Sequence, residues 1–365
     1  MMKRINKVLL ISLSLFFMFS SLFGETNQKV TFFDHYNNEV TLEKPAERII
    51  TIPKPAPSMF MAVDGSSERI VGIHPGSMDA IREGIMMQMF PDAININSDI
   101  GNKGSYIPNV EEMLTLHPDI IFQWGNEGMG IVDPIKNAGL KVALVKYGDQ
   151  NSLETMLNSF GSVSGKKDKV ETIIAWHKST MSQLKQKTDI IPESGKTRVI
   201  FLIRALSSLK VAGGDTYHGL CIGLAGGKNP AREIKGYKVV SPEQIIAWDP
   251  EVIFLNNFEA KLQPQDIYSN AMLAGLSAVK NKRVYRAPMG GYRWDPPNQE
   301  SPLMWKWLSM IFYPDQISWD IRTEMKEKYQ FLYNYTLKDD EIDAILRFRM
   351  NGISSNYQQF ARTEG

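Results

Sequence analysis

Cysteine is nearly missing from these 365 residues, with Cys221 the only one. A single thiol cannot close an internal disulfide, so stability has to come from packing, which a chain of this length can supply. Metal-ligand spacing is missing as well. There is no His-x-x-x-His or Cys-x-x-Cys, and His35, His74, His117 and His177 are scattered, which makes a bare transition-metal ion a weak ligand candidate. The chain has no Gly-x-Ser-x-Gly, no Walker motif and no dinucleotide glycine fingerprint, which leaves an enzyme without its usual signatures. The glycine-rich stretch 223–227 lacks the preceding strand that such a motif needs. No long block of one charge occurs, and 41 basic against 40 acidic residues argues against nucleic acid, which wants a concentrated basic surface.

What is present starts with a leader. Lys3, Arg4 and Lys7 precede an apolar run over residues 8–19 and a small-residue exit near Gly24, the pattern of a signal peptide over 1–24. That run is shorter than the ~20 residues a membrane-crossing helix needs, and no later stretch is long and apolar enough. With no cysteine at the exit to carry a lipid, the mature protein is expected to be soluble in the periplasm. Removing the leader takes Lys+Arg from 41 to 38 against 40 acidic residues, a net charge of about −2.

The most informative feature is an internal echo. Residues 109–122 (NVEEMLTLHPDIIF) and 241–254 (SPEQIIAWDPEVIF) each combine a polar N-cap residue, a glutamate two positions on, apolar residues at helical spacing, a proline and a strand-like triplet. One such unit per half suggests two lobes built alike. Short apolar runs at 48–52, 70–73, 119–122 and 141–145, and again at 198–203, 251–255 and 283–285, predict mainly parallel sheets covered by helices on both faces. The fold class is therefore α/β, with two Rossmann-like lobes and a cleft between them. Between the halves, residues 151–187 lack proline and keep a helical apolar period broken near Gly161 and Gly165, which predicts a shorter helix and then one long connecting helix. The expected division is a lobe over 25–150, a connecting segment over 151–195, a second lobe over 196–350 and a tail over 351–365.

In this order the segments 48–53, 68–73, 109–122, 138–142, 219–229 and 241–254 resemble the ABC-importer binding proteins for siderophores, haem, vitamin B12 and some oxyanions, in which one backbone helix joins two α/β lobes. The resemblance runs from about Val30 to about Tyr313. It implies a binding protein without enzymatic activity or resident cofactor, expected as a monomer, whose partners are a small-molecule or metal-chelate ligand and a membrane permease. It also implies one glutamate per lobe docking to permease arginines. The matching positions are Glu111 and Glu243, with Glu112 adjacent to the first; capping electrostatics alone would also place carboxylates there.

Ligands in open α/β lobes lie beyond the C-terminal ends of strands. That rule nominates Lys54 in a proline-stiffened turn, Tyr106, and Trp124 from the first half, with solvated lysine and core tryptophan as the alternatives. From the second half it nominates Arg204, Tyr217 and His218; a lone histidine is more often structural. The loop 288–302, dense in glycine and proline, carries Tyr292, Arg293 and Trp294, a phenol, a bidentate cation and an indole suited to an anionic or aromatic chelate. The alternative is an arginine stacked on tryptophan and paired with Asp295 or Glu300 to lock the loop. The expectation is a periplasmic binding protein that captures an iron–siderophore or similar metal chelate, any metal arriving already chelated. Haem, a corrinoid, a nickel complex and a molybdate-type oxyanion stay open, and an extracytoplasmic α/β enzyme is the reading from another class.

Overall fold

The computed structural model describes residues 29–362, and the expected leader lies outside the described residues. Strands β1 (Val30–Phe33) and β2 (Glu39–Leu42) form an antiparallel hairpin. Asp34 closes its turn by accepting from the Asn38 backbone N–H at 3.0 Å, and it pins the hairpin to the first sheet by accepting from the Leu144 N–H at 2.9 Å. That sheet contains β3 (Ile49–Thr51), β4 (Ile70–Ile73), β5 (Ile120–Trp124) and β6 (Val142–Val145), in the order β4-β3-β5-β6 and parallel throughout. Every residue of β5 is buried, as a parallel strand covered on both faces requires.

The second sheet is built from β7 (Val199–Arg204), β8 (Lys210–Ala212), β9 (Tyr237–Val239), β10 (Val252–Leu255) and β11 (Val284–Arg286) in the order β11-β10-β7-β8-β9. β11, β10 and β7 are parallel. β8 and β9 run antiparallel, an edge extension that the apolar runs did not announce. Both are three residues long, and β9 is exposed at all three positions, too short and too wet to show a period.

The echo becomes two equivalent corners. The helices Val110–Thr115 and Pro242–Trp248 start on Asn109 and Ser241, whose side chains each accept from a backbone N–H at 3.3 Å. Both corners turn through a non-glycine residue in the left-handed region, His117 at φ 44° and Asp249 at φ 38°. His117 is thus a turn residue, as its alignment with Asp249 suggests.

The connector consists of two helices, Gln150–Ser164 and Lys167–Thr188, separated at Gly165 with φ 75°. Gly161 does not interrupt: it lies inside the first helix where the second crosses it, and a Cβ there would come within 2.8 Å of Val170. The first helix packs on β1 and on the helix Ala56–Asp64, which places it in the first lobe. The second, 22 residues and about 33 Å long, spans to the second lobe, where it meets the helices Tyr217–Leu224 and Ser301–Phe312.

The helix Ile321–Tyr333 then returns to the first lobe. It packs on Ala56–Asp64, with Tyr333 edge-on to Phe90 at 6.2 Å between centroids and the Leu332 carbonyl accepting from Lys169 at 2.9 Å. One apolar cluster therefore runs through both lobes, while a second fills only the outer face of the β10–β7 region.

Candidate functional site

The strand ends of the first lobe bring together a cation and a set of rings. Lys54 follows β3 in the turn before Ala56–Asp64, and its ammonium lies 5.6 Å from the Tyr106 ring centre. Tyr106 is held from two sides. The Gln123 amide on β5 donates to its carbonyl at 3.2 Å. His74, after β4, accepts from the Gly76 N–H on Nδ1 at 2.9 Å and so donates through Nε2 to the Ser105 carbonyl at 3.0 Å. Trp124, last in β5, stands edge-on to Tyr106 at 5.6 Å and to Tyr147 at 6.1 Å. Its indole N–H is buried and, among the described residues, has no hydrogen-bond acceptor in ordinary geometry. Burial raises the Tyr106 phenol above its ordinary value, with the charge of Glu127 adding to the rise and the neighbouring Trp124 indole opposing it.

Facing these groups is the loop after β11, which is buried along its whole length. Arg293 is 9% exposed at its side chain, and its Nη2 donates to Glu83 of the first lobe at 2.7 Å. The guanidinium lies 5.3 Å from the Phe258 ring and 5.7 Å from Tyr292, and among the described residues its Nε–H has no acceptor in ordinary hydrogen-bond geometry. Burial pushes the Tyr292 phenol up to about 12, which keeps it a hydrogen-bond donor. Burial, then the charge of Arg293, lowers the Lys54 ammonium below the ordinary lysine value, so the two cations feel each other across the junction.

Trp294 and Tyr217 have their polar atoms engaged in other contacts. Trp294 is fully buried and donates from Nε1 to Glu300 at 2.6 Å. Glu300 also accepts from Tyr329 at 2.7 Å, from the Gly291 N–H at 3.0 Å and from Tyr333, forming the hub on which the loop is folded. A Cβ on Gly290 would fall 2.0 Å from Glu300 and 2.2 Å from Tyr329, so that hub requires glycine. Tyr217 donates to Ser301 at 2.7 Å and accepts from Trp305 at 3.2 Å, which ties two helices of the second lobe together. The arginine of the loop pairs with Glu83 rather than with Asp295 or Glu300, and its aromatic neighbours are Phe258 and Tyr292 rather than Trp294.

His218 is buried between Tyr237, 3.2 Å from Nδ1, and Asp295, 3.6 Å from Nε2. Asp295 itself accepts from Asn256 at 2.7 Å and Asn257 at 3.1 Å, so this side of the site is a buried polar floor. Arg204 ends β7 exposed to solvent, and it forms no ion pair among the described residues. Among the described residues no group of three or more His, Cys, Asp and Glu side chains is arranged to hold a metal ion. Glu83, Tyr147 and Phe258 join the site without having been nominated; each gains its place from a partner distant in the chain, which no local pattern records.

The two docking candidates lie on the corner helices. Glu111 and Glu243 are both exposed in first turns, whereas Glu112 is half-buried and accepts from Asn97 at 2.6 Å. Glu243 is held below the ordinary glutamate range by its own backbone N–H and the Ser241 hydroxyl.

Residues 22–289 match a family model described as periplasmic binding protein. The crystal structure of a periplasmic solute binding protein from Veillonella parvula is 34% identical and covers 89% of this chain and 99% of its own, with a TM-score of 0.81. The molybdate-binding protein MolA of Haemophilus influenzae is 23% identical over 87% of this chain and 91% of its own length. The Fe(3+)-citrate-binding protein YfmC of Bacillus subtilis is 23% identical over 60% of this chain and 68% of its own.

Proposed function

Since the chain belongs to the periplasmic binding protein family, we propose that it captures an anionic, oxygen-rich solute and delivers it to the permease of an ABC importer, an iron–siderophore or similar metal chelate being the foremost ligand. It is a substrate-binding transport protein, not an enzyme. One observation supports the anionic reading above others: Lys54 and Arg293 come from opposite lobes to one aromatic-lined junction, close enough for the arginine charge to lower the lysine pKa, and among the described residues the buried Trp124 indole and Arg293 Nε–H find no acceptor in ordinary hydrogen-bond geometry. Buried donors without acceptors cost free energy until something supplies oxygens. Tyr106, Tyr147, Tyr292 and Phe258 suit a ligand with flat or apolar parts.

A more compact oxyanion of the molybdate type is the second reading, and haem and corrinoids follow it. It is favoured by the contacts that hold the lobes together. Glu83 meets Arg293, the Ile85 N–H donates to Gly290 at 3.3 Å, and the Tyr147 hydroxyl donates to Pro297. The resemblance to a protein named for molybdate adds weight. Mass spectrometry and a metal scan on protein recovered from its native compartment decide between these. Iron with an organic chelator supports the first, molybdenum without one the second, and a metal-free cationic ligand overturns both.

A further inference from the structure

Arg293 is the cation on which capture rests in the reading above, yet its Nη2 is already engaged by a carboxylate. That carboxylate belongs to the other lobe. Glu83 is the last residue of the helix Pro75–Glu83, where the helix dipole disfavours a negative charge. Nothing in its own element holds it there; its partner is 210 residues away, at 2.7 Å. Around this pair the two lobes meet closely. The Ile85 N–H donates to the Gly290 carbonyl at 3.3 Å, and a Cβ on Gly84 would fall 2.4 Å from that same oxygen. Arg293 is nearly covered while the Glu83 side chain stays 39% exposed, so the carboxylate is the partner that can leave into water.

An anion entering between Lys54 and Arg293 needs the same guanidinium edge, because bidentate recognition uses the Nη atoms. We propose that Glu83 is a resident carboxylate that occupies Arg293 across the lobe junction until an anionic solute displaces it, so that the pair latches the empty protein and sets how much charge a solute must carry to enter. This rests on the anion-capture reading for its second half only; the latch itself is a property of the ligand-free chain.

Glu83→Gln keeps the size and a hydrogen-bond acceptor while removing the charge. Hydrogen exchange on the ligand-free mature protein tests the latch: the variant is expected to exchange faster at Ile85 and over 289–294, with β5 and β7 unchanged. Unchanged protection at both places overturns the proposal, whatever the binding results. Calorimetry with sodium molybdate and with ferric citrate tests the displacement. Removing the competitor is expected to tighten binding of a probe that the wild type takes up by about two- to tenfold, more for the probe of higher charge. Equal or weaker binding by the variant overturns displacement, since Glu83 then helps to hold the solute. If the wild type takes up neither anion while the exchange result holds, displacement by molybdate and by ferric citrate fails and the latch stands.

Discussion

Arg48 and Arg198 hold the same post in the two halves of the protein. Each donates its Nε–H to a carbonyl at the end of a short helix, Leu116 at 2.7 Å and Asp249 at 3.0 Å. Each also donates its backbone N–H to the carboxylate that opens the next strand, Asp119 at 2.8 Å and Glu251 at 2.9 Å. The arginines therefore fix the two corner helices in matching orientation, and with them the exposed Glu111 and Glu243.

From that placement, Glu111→Lys with Glu243→Lys is expected to abolish solute-stimulated ATP hydrolysis by the reconstituted importer and leave solute affinity unchanged. The charges lie on solvent-exposed first turns, so the fold loses little. Full stimulation by the double variant would remove both residues from docking.

Arg293→Ala is expected to weaken capture of an anionic solute by about 1.5–3 kcal/mol, the scale of hydrogen bonds to charged groups, or about ten- to a hundredfold in Kd. Titration calorimetry reads the change directly. Wild-type affinity would take Arg293 out of the site.

Tyr329→Phe removes one of the donors to the buried Glu300 carboxylate, whose protonated form burial already favours. The expected loss is about 1.5–3 kcal/mol in urea unfolding, with the hub otherwise unfilled by water. A loss below about 0.5 kcal/mol, the level of an ordinary surface change, would mean that Glu300 is satisfied without it.

His177 sits in the spanning helix with no exposure, donating from Nε2 to the Gln299 carbonyl at 3.2 Å while Nδ1 accepts from Gln150 at 3.2 Å. Burial lowers its pKa from 6.5 to about 4. The folded protein thus keeps the ring neutral where the unfolded chain binds a proton, so this stability is complete above the unfolded value and is lost as pH falls toward the folded one. The loss amounts to at most about 3 kcal/mol. Urea midpoints at pH 7 and pH 4.5 are expected to fall further apart in the wild type than in His177→Gln; equal gaps would refute the assignment.

Much of the frame was legible because it is local. The seven apolar runs become strands, and the echo becomes the Arg48 and Arg198 corners, since N-caps, prolines and buried triplets act over a few residues. The site was legible only in part. Lys54, Trp124, Tyr292 and Arg293, nominated by the α/β ligand rule from strand ends, lie with Tyr106 around one candidate site. Trp294 and Tyr217 have the same chemical character but spend it on Glu300 and on Ser301 with Trp305. Whether a ring faces a cleft or a neighbouring helix depends on contacts made tens or hundreds of positions away. Glu83 shows the same limit, because its place depends on Arg293, 210 residues away.

The return of the helix Ile321–Tyr333 to the first lobe bears on the order in which the protein can be completed. Ribosomes deliver residues from the N-terminus, so the first sheet is available once Val145 has emerged, yet the helix Ala56–Asp64 and Phe90 lack their contacts with Ile321–Tyr333 until that later helix arrives. Chains cut short before that helix keep the exposed apolar surface from which aggregation starts. Maturation of the N-terminal lobe is thereby tied to a helix synthesised long after its own sheet.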